Sequence, residues 1–267
     1  MGAGDVRANK IKQMWKEGKP VTLGWLSINN SFSAEVMARQ GFDALCVDLQ
    51  HGTNTTGDLI PMLQAISQTE TVPVVRVPWN EPSIIMKALD YGAYGIIVPL
   101  ISTPADAAAA VAACRYPPKG YRSSGPIRAQ HYGGADYLAK ADDEVVVIAM
   151  IETKEGLANL DAICATPGLD AVYIGPADLS LALGCTPRFD QDEAPVVAAI
   201  DHILSRARAH GVVAGIHNGS ADYALRMVAK GFQFVTVGSD ARFMAAGARA
   251  AVDRMKAQGG AAAGTGY

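Results

Sequence analysis

Short apolar runs recur along the chain with polar segments between them. Each run is rich in Val, Ile and other apolar residues and is short enough to be one strand. The run at residues 146–151 (VVIAMI) contains no polar residue, which is typical of a strand buried on both faces. We predict strands at residues 21–28, 42–49, 72–78, 95–101, 145–151, 170–175, 212–217 and 232–238.

Amphipathic, alanine-rich segments separate these runs. Several of them end at a glycine, which is the usual residue after a helix. We predict helices at residues 33–41, 81–92, 104–116, 194–211 and 222–231.

Strand and helix alternate about eight times, which requires parallel strands. The predicted fold is therefore a single α/β domain, a closed (β/α)₈ TIM barrel over residues 1–256, with a flexible low-complexity tail at residues 257–267. A doubly wound open sheet is the alternative. That fold usually has a GxGxxG turn after its first strand, whereas this chain has GWLSINNSF at residues 24–32.

Composition narrows the class of partner. The 267 residues are 49% hydrophobic and 18% charged, which fits a globular chain long enough for one large barrel. The formal net charge is −3 and no run of Lys or Arg occurs, so we expect a small-molecule partner and no nucleic acid.

The sequence also predicts where the protein is located and whether its cysteines are reduced. No apolar run approaches the roughly 20 residues of a membrane span, and residues 1–18 have no apolar core of a secretory signal. We therefore expect a soluble, cytoplasmic protein with no membrane partner. No CxxC pair occurs, so we expect the cysteines to be buried free thiols: Cys46, Cys114, Cys164 and Cys185.

Polar or aromatic residues stand near the ends of most predicted strands. In a (β/α)₈ barrel the loops after the strands form the active-site face, so we expect these side chains to converge. The set comprises Trp25, Asn29, Asp48, His51, Arg76, Glu152, Asp178 and His217.

Two carboxylates of this set follow consecutive strands. Glu152 and Asp178 would repel each other unless a cation lay between them, and a hard divalent ion such as Mg²⁺ or Mn²⁺ would resolve the conflict. Alternatively, Glu152 pairs with Lys154 and Asp178 only helps to begin a helix.

The segment YIGPADLSLALG (173–184) predicts an anion site beside that cation. Gly175 allows close approach, Pro176 suits a first helical turn, and the free N–H groups from Ala177 onward can bind a carboxylate. A cation beside an anion pocket suits a 2-oxo acid.

Arg76 and His51 complete the candidate chemistry. An unpaired guanidinium within the apolar run VPVVRVP (72–78) would be costly, so Arg76 either forms a buried salt bridge or stabilises an enolate. His51 is a candidate proton carrier because an unperturbed histidine titrates near neutral pH, although a lone histidine after a strand is more often a loop hydrogen-bonding residue.

The chain resembles the HpcH/HpaI aldolases from about Trp25 to the last helix. The similar blocks occur in the family's order: FDALCVDLQHGTN, VPVVRVPWNEPSIIMKALDYGAYGIIVPLI, RYPPKGYRSSG, IETKEGLANLDAICATPGLDAVYIGPADLSLALG and GFQFVTVGSD. The resemblance implies a TIM barrel of the phosphoenolpyruvate/pyruvate-domain type. It also implies a homo-hexamer, a trimer of dimers, with helix exchange between partners.

The resemblance also implies residue roles. Glu152 and Asp178 match the metal ligands, Arg76 the arginine that contacts the keto oxygen of pyruvate, and His51 the histidine associated with proton transfer. Other matches are the carboxylate-binding backbone of Gly175, Ala177 and Asp178, an active-site tryptophan (Trp25), an aspartate that orients the histidine from a neighbouring subunit (Asp90), and a loop arginine facing the acceptor (Arg122).

The sequence departs from the family at two positions near this site. Met150 stands where relatives carry glutamine, and Gln50 stands where many carry glutamate. Neither is a predicted ligand, so the departures concern substrate and tuning of the proton carrier, not the class of reaction.

The implied activity is that of a class II pyruvate aldolase. Such an enzyme cleaves 4-hydroxy-2-oxo acids to pyruvate and an aldehyde, or joins them, using Mg²⁺, Mn²⁺ or Co²⁺ to stabilise the pyruvate enolate.

Other classes of function remain open. A Schiff-base aldolase would need a desolvated lysine, yet no predicted strand contains one, and Lys119 and Lys154 fall in loops or helix starts. A lyase of the citrate-lyase-beta or malyl-CoA type, acting on coenzyme A thioesters, and a non-catalytic oxo-acid-binding barrel are the alternatives.

Overall fold

Eight parallel strands form a closed barrel in which each strand pairs with the next and β8 pairs with β1. In the computed structural model the described residues are 6–262, with side chains described to residue 257. The strands are β1 (Val21–Leu26), β2 (Ala44–Asp48), β3 (Val72–Arg76), β4 (Gly95–Val98), β5 (Val146–Ile151), β6 (Ala171–Ile174), β7 (Val213–Ile216) and β8 (Phe234–Ser239).

Helices surround the barrel and connect consecutive strands. They are α1 (Lys10–Lys16), α2 (Ser31–Ala38), α3 (Leu59–Ile66), α4 (Pro82–Asp90), α5 (Pro104–Cys114), α6 (Ile127–Gly133), α7 (Tyr137–Glu144), α8 (Lys154–Ala158), α9 (Leu160–Cys164), α10 (Pro176–Leu183), α11 (Ala194–Ala209), α12 (Ala221–Lys230) and α13 (Asp240–Ala262). The (β/α)₈ prediction is confirmed, and the open sheet is excluded by closure of β8 on β1.

The core has two layers separated by the strands. Successive residues of a strand point to opposite faces, so β2 directs Cys46 into the barrel and Leu45 and Val47 toward the helices. The outer layer packs strands on helices, and the inner layer fills the barrel with residues such as Ile148 and Phe234.

Helix α1 covers the amino-terminal end of the barrel. Its cap, Asn9, is buried and donates from Nδ2 to the carbonyl oxygens of Tyr94 and Glu144 at 3.0 and 2.8 Å. Trp15 donates from Nε1 to the Gln233 carbonyl at 2.9 Å. The interior of the barrel is therefore closed at this end by structural contacts.

Helix α13 leaves the barrel after β8. Its first residue, Asp240, is buried, whereas residues 241–257 are exposed. Helix α13 continues to Ala262, so it includes the first residues of the predicted tail, which begins at residue 257. Residues 263–267 of the predicted tail lie outside the described residues.

All four cysteines are free. Cys46, Cys114 and Cys164 are buried as predicted, but Cys185 is only partly buried because it follows the end of α10. Burial raises the pKa of the Cys114 thiol to about 12, so this thiol stays protonated and unreactive near neutral pH.

Long apolar helices do not occur in the described chain. None of its helices combines the length and the hydropathy needed to cross a bilayer.

Candidate active site

The inward-pointing residues of the strands bring the predicted site together. Every second residue faces the barrel interior, and at the carboxyl ends this series reaches polar or small residues. They contribute to an open cavity of about 200 Å³, which is lined by Trp25, Ser27, Asp48, His51, Arg76, Met150, Gly175, Pro176, Ala177, Asp178, Phe189, His217, Gly238, Ser239 and Arg242. Trp25 and Asp48 belong to β1 and β2 themselves, not to the loops after them, because both strands extend to these residues.

Arg76 and Asp48 form a bidentate ion pair across neighbouring strands. Nε of Arg76 donates to Oδ1 of Asp48 at 2.8 Å and Nη2 donates to Oδ2 at 2.6 Å. Burial alone would raise the pKa of Asp48, but the hydrogen bonds and charge of Arg76 outweigh it and hold that pKa below its usual value. The pair is thus ionised, which fixes the plane of the guanidinium.

The third guanidinium nitrogen of Arg76 has no oxygen partner in the described chain. Nη1 lies 3.9 Å from the sulfur of Met150, and a thioether is a weak acceptor. The methionine at this position therefore leaves the Nη1 hydrogens to an oxygen of a bound molecule.

Trp25 supports this ion pair from inside the barrel. Its indole Nε1 donates to Oδ2 of Asp48 at 3.1 Å, and the Arg76 guanidinium lies 5.0 Å from the ring centroid. The ring stacks on Tyr173 at 5.9 Å between centroids. Trp25 thus both fills the barrel mouth and positions Asp48 and Arg76.

Glu152 is a buried carboxylate that the backbone holds in place. The N–H of Leu100 donates to its Oε1 at 2.9 Å, and Leu100 adopts a φ of 56°, which is strained for a residue with a side chain. Burial raises the pKa of Glu152 to about 7, and the negative charge of Asp178 adds to the rise against the opposing effect of the Leu100 N–H. Such a carboxylate is poised to exchange a proton for a metal ion near neutral pH.

Gly175 is required by the close approach of Glu152. A Cβ atom at residue 175 would lie 2.3 Å from Oε2 of Glu152 and 2.6 Å from Cε of Met150. Gly175 is also the N-cap of α10, with Pro176 in the first turn, so the N–H groups of Ala177 and Asp178 have no partner within the helix. These N–H groups lie beside the cavity and can bind a carboxylate.

The carboxylates fit a divalent cation. Asp178 is exposed at the cavity and makes no hydrogen bond or ion pair within residues 6–257, and Glu152 forms no ion pair with Lys154, which is exposed. Two nearby carboxylates that form no ion pair with a lysine or arginine of the described chain suit Mg²⁺, which takes one or two carboxylates and completes its shell with other oxygens. No group of three or more His, Cys, Asp or Glu residues forms a closed metal site in the described residues.

His51 lines the cavity with an exposed side chain. Its backbone N–H donates to Oδ1 of Asp48 at 3.3 Å, and the N–H of Gln50 donates to the same oxygen at 3.0 Å. Asp48 thus fixes both Arg76 and the turn that carries His51. The Oε1 atom of Gln50 is buried without a hydrogen-bond partner in this chain.

Three predicted residues lie away from the cavity of their own chain. Asn29 is exposed on the loop after β1. Asp90 ends α4 at the amino-terminal face of the barrel, opposite the cavity. Arg122 is buried, and its Nη2 donates to Oδ1 of Asp90 at 3.0 Å.

Within its own chain Arg122 does not line the cavity, so its predicted contact with the acceptor would require another subunit. The α5–β5 connection lies at the amino-terminal face, where the ring of Tyr116 also lies 4.5 Å from the guanidinium. A contribution of Asp90 or Arg122 to the cavity of another subunit stays a prediction.

Several cavity residues did not follow from the sequence patterns. Phe189 lies on the loop after α10, and Ser239 and Arg242 lie where β8 passes into α13. The sequence feature that could have indicated Arg242 is its position shortly after the end of a predicted strand. Its relation to the cavity depends on how α13 begins, which the hydrophobic pattern does not specify.

The family model for HpcH/HpaI aldolase/citrate lyase matches residues 22–246, which include the whole barrel and the start of α13. The chain belongs to this family. The prediction of a carbon–carbon lyase of the HpcH/HpaI family is thereby confirmed.

Named relatives are similar over most of their length. A hydroxypyruvate/pyruvate aldolase of Rhizorhabdus wittichii is 46% identical over 241 residues, covering 90% of this chain and 96% of the relative. A 5-keto-4-deoxy-D-glucarate aldolase of Shigella dysenteriae is 41% identical over 239 residues, covering 88% and 92%. A crystal structure of an HpcH/HpaI aldolase/citrate lyase family protein from Burkholderia cenocepacia has a TM-score of 0.87 at 34% identity, covering 93% of this chain and 100% of that one.

Proposed function

We propose that the chain is a class II pyruvate aldolase that cleaves 4-hydroxy-2-oxo acids to pyruvate and an aldehyde and catalyses the reverse addition. The observation that supports this most strongly is that Asp178 and Arg76 line one cavity beside the free N–H groups of α10, with the buried Glu152 against Gly175 of its wall. The two aldolases above, at 46% and 41% identity, support the same class of reaction.

Glu152 and Asp178 would hold the divalent ion, Mg²⁺, Mn²⁺ or Co²⁺. When bound, such an ion acts as a Lewis acid that stabilises negative charge on the keto oxygen of the substrate. The raised pKa of Glu152, about 7, means that the ligand set becomes fully anionic near neutral pH.

The 2-oxo acid is positioned by this chain's own donors. The N–H groups of Ala177 and Asp178 bind the carboxylate, and Nη1 of Arg76 donates to the keto oxygen. Because Asp48 holds the guanidinium in a fixed plane, this donor is already in place when negative charge develops on the enolate oxygen.

His51 carries the proton in the cleavage step. It accepts the proton of the 4-hydroxyl group, the C3–C4 bond breaks, and the electron pair of that bond forms the enolate of pyruvate while the aldehyde departs. Protonation of C3 then gives pyruvate. The resemblance assigns Asp90 of a neighbouring subunit the task of orienting His51.

A Schiff-base route has no support in this cavity. No lysine lines it within the described part of the chain. Lys154 is exposed, and Lys119, with a side chain 61% exposed, lies near Asp142 and Asp143 at the other face of the barrel. We therefore assign enolate formation to the carboxylate and arginine site.

The proposed homo-oligomer, a hexamer built as a trimer of dimers, is supported by α13. This helix exposes large apolar side chains, with Met244 63% and Met255 71% exposed, along a stretch that has few contacts with its own barrel. An exposed apolar helix of this length is unfavourable in a monomer and is expected to pack on another subunit. Light scattering after size-exclusion chromatography measures the mass that decides this.

Deuterium exchange at the pyruvate methyl group tests the proposed function. In D₂O with Mg²⁺, which is diamagnetic, the wild-type protein should exchange the methyl protons of pyruvate, as seen by loss of the proton NMR signal. EDTA should stop the exchange, and Glu152→Gln and Asp178→Asn should remove it.

Borohydride in the presence of pyruvate should leave activity intact, because no imine forms. Exchange that survives EDTA, or inactivation by borohydride, would contradict the class II proposal. Turnover of malyl-type thioesters with no turnover of hydroxy-oxo acids would instead support the coenzyme A lyase alternative.

A further inference from the structure

The rim of the cavity opposite β5 carries a cationic side chain that the reaction outlined above does not use. Arg242 lies in the first turn of α13 and lines the same cavity as Arg76 and Asp178. Its guanidinium lies 5.3 Å from the ring centroid of Phe189. Arg242 has no carboxylate within 4.0 Å among the side chains described up to residue 257.

Two acidic residues near this part of the rim, Asp240 in α13 and Asp190 next to Phe189, already accept hydrogen bonds from other groups. Asp240 is buried and accepts from the N–H groups of Ser27 and Ile28 at 2.9 and 3.2 Å. Asp190 accepts from the N–H of Gly219 and from Oγ of Ser220, both at 2.6 Å. The charge of Arg242 is therefore not neutralised by its own chain and is available to a bound anion.

The first turn of α13, which carries Arg242, is fixed by contacts with the loop after β1 and with the end of β8. Asp240 attaches the start of α13 to the loop after β1. Gly238 has a φ of 152°, and a Cβ atom there would lie 2.5 Å from Cζ of Phe243, so the glycine lets α13 pack closely on the end of β8. A guanidinium on such a fixed turn can bind a carboxylate in bidentate fashion.

Phe189 and His217 form the wall next to Arg242. The rings of Phe189 and His217 are 4.8 Å apart, and Nδ1 of His217 lies 3.3 Å from the hydroxyl of Tyr173. Tyr173 in turn lies 2.5 Å from Oγ1 of Thr236. Since Nδ1 is occupied, Nε2 is the polar ring atom of His217 that remains for a ligand.

The loop that carries Phe189 is also fixed. Gln191 donates from Nε2 to Oγ of Ser180 at 2.7 Å and to the Thr186 carbonyl at 3.0 Å. The wall is thus formed before a ligand binds, which favours discrimination between ligands.

We infer that Arg242, with His217 and Ser239, forms the acceptor end of the cavity and selects an aldehyde that carries a carboxylate group. This inference rests on the proposed aldolase function. With the pyruvate portion bound at α10 and Arg76, the part of the substrate beyond C4 extends toward the cavity wall after β7 and β8, where Arg242 is the cation. His217 and Ser239 then contact the polar groups between the aldehyde carbon and the carboxylate.

A matched pair of aldehydes tests the inference. Succinic semialdehyde and its methyl ester differ chiefly in charge, and kcat/KM for aldol addition is measured for each at saturating pyruvate and Mn²⁺. The wild-type enzyme should prefer the semialdehyde. Arg242→Gln should lower kcat/KM for it by about 10- to 100-fold, as expected for loss of a charge-assisted hydrogen bond, and leave the methyl ester within about twofold.

Two further variants distinguish a local contact from a general effect of charge. Arg242→Lys should restore part of the preference, because it keeps the charge but not the bidentate geometry. Arg188→Gln removes an arginine from the same loop as Phe189 that pairs with Asp192 at 3.1 Å and does not line the cavity, so both aldehydes should react as in the wild type.

Pyruvate methyl exchange separates this inference from the proposed function. Arg242→Gln should retain wild-type exchange, since Arg242 does not bind the pyruvate portion. Two results would overturn the acceptor role alone. One is that Arg242→Gln retains exchange but loses the same kcat/KM for both aldehydes. The other is that the wild type shows exchange but does not prefer the charged aldehyde. Absence of exchange in the wild type overturns the aldolase proposal and the acceptor role with it.

Discussion

Asp48 and Arg76 are register partners on β2 and β3 and are joined by two parallel hydrogen bonds of 2.8 and 2.6 Å. Both side chains are buried, at 3% and 8% exposure, so the pair is shielded from solvent. Asp48 also accepts from Trp25 and from the backbone that carries His51. One carboxylate therefore positions the arginine, the tryptophan and the histidine of the site.

Asp48→Asn should reduce both stability and activity. The amide cannot accept two charged hydrogen bonds, which leaves the Arg76 guanidinium buried and poorly paired, and removal of one partner of such a pair costs about 3–5 kcal/mol. We expect a stability loss in the lower part of this range, measured by urea unfolding, and a fall of about 10²-fold in pyruvate proton exchange because Arg76 is misplaced.

Asp192→Asn is the matched control for that substitution. Asp192 pairs with Arg188 in an exposed ion pair, with side chains 77% and 52% exposed, and such pairs contribute about 0–1 kcal/mol. Equal effects of the two substitutions would show that the Asp48 pair has no special role.

The strand ends could be predicted from the sequence, but the partners across strands could not. Alternation of side chains indicates that residues such as Arg76 and Glu152 face one cavity, because all parallel strands end at the same face. The pairing of Asp48 with Arg76 depends on the register between β2 and β3, which is a tertiary property. Arg76 was thus expected either in a salt bridge or at the substrate, and the structure gives it both a salt bridge and a free Nη1 at the cavity.

The positions of two further residues depend on segments outside the strands. Arg122 lies at the amino-terminal face because the α5–β5 connection folds into α6 and α7 there, and no period in the sequence specifies that path. Arg242 enters the site because Asp240 attaches α13 to the loop after β1. Such contacts join distant parts of the chain, so a local pattern cannot show them.

Gly175→Ala should weaken metal binding while the fold is retained. The added Cβ would lie 2.3 Å from Oε2 of Glu152, so the carboxylate must move out of its position. We expect an increase of at least about tenfold in the Kd for Mn²⁺, by titration calorimetry, with an unchanged circular dichroism spectrum.

Gly125→Ala provides the comparison, because a Cβ atom there has no neighbour within 4 Å. Wild-type Mn²⁺ affinity in Gly175→Ala would show that Glu152 does not ligate the ion in this position.

The affinity for the divalent ion should decrease as the pH falls through the range in which Glu152 gains a proton. Burial raises the pKa of this carboxyl to about 7, so below that pH protons compete with the ion for it. The apparent Kd for Mn²⁺ should therefore be about tenfold weaker at pH 6 than at pH 8, with proton release on binding near pH 7. Calorimetry in two buffers of different ionisation enthalpy measures both, and a pH-independent Kd would place Glu152 outside the ligand set.

His217 should make the protein less stable in mild acid. Burial, with the nearby charge of Arg76, lowers the pKa of His217 to about 3 in the folded protein, whereas a histidine in an unfolded chain titrates at about 6.5. Between these values the unfolded state binds a proton that the folded state does not, so the free energy of unfolding falls as the pH falls below about 6.5.

His217→Gln cannot titrate and should lose less stability between pH 6.5 and pH 4.5. Urea unfolding with EDTA present measures the two slopes, and His202→Gln, at an exposed histidine of α11, controls for loss of a histidine as such. Parallel slopes for the wild type and His217→Gln would mean that His217 gains its proton equally in both states, in conflict with its place between Trp25 and Phe189.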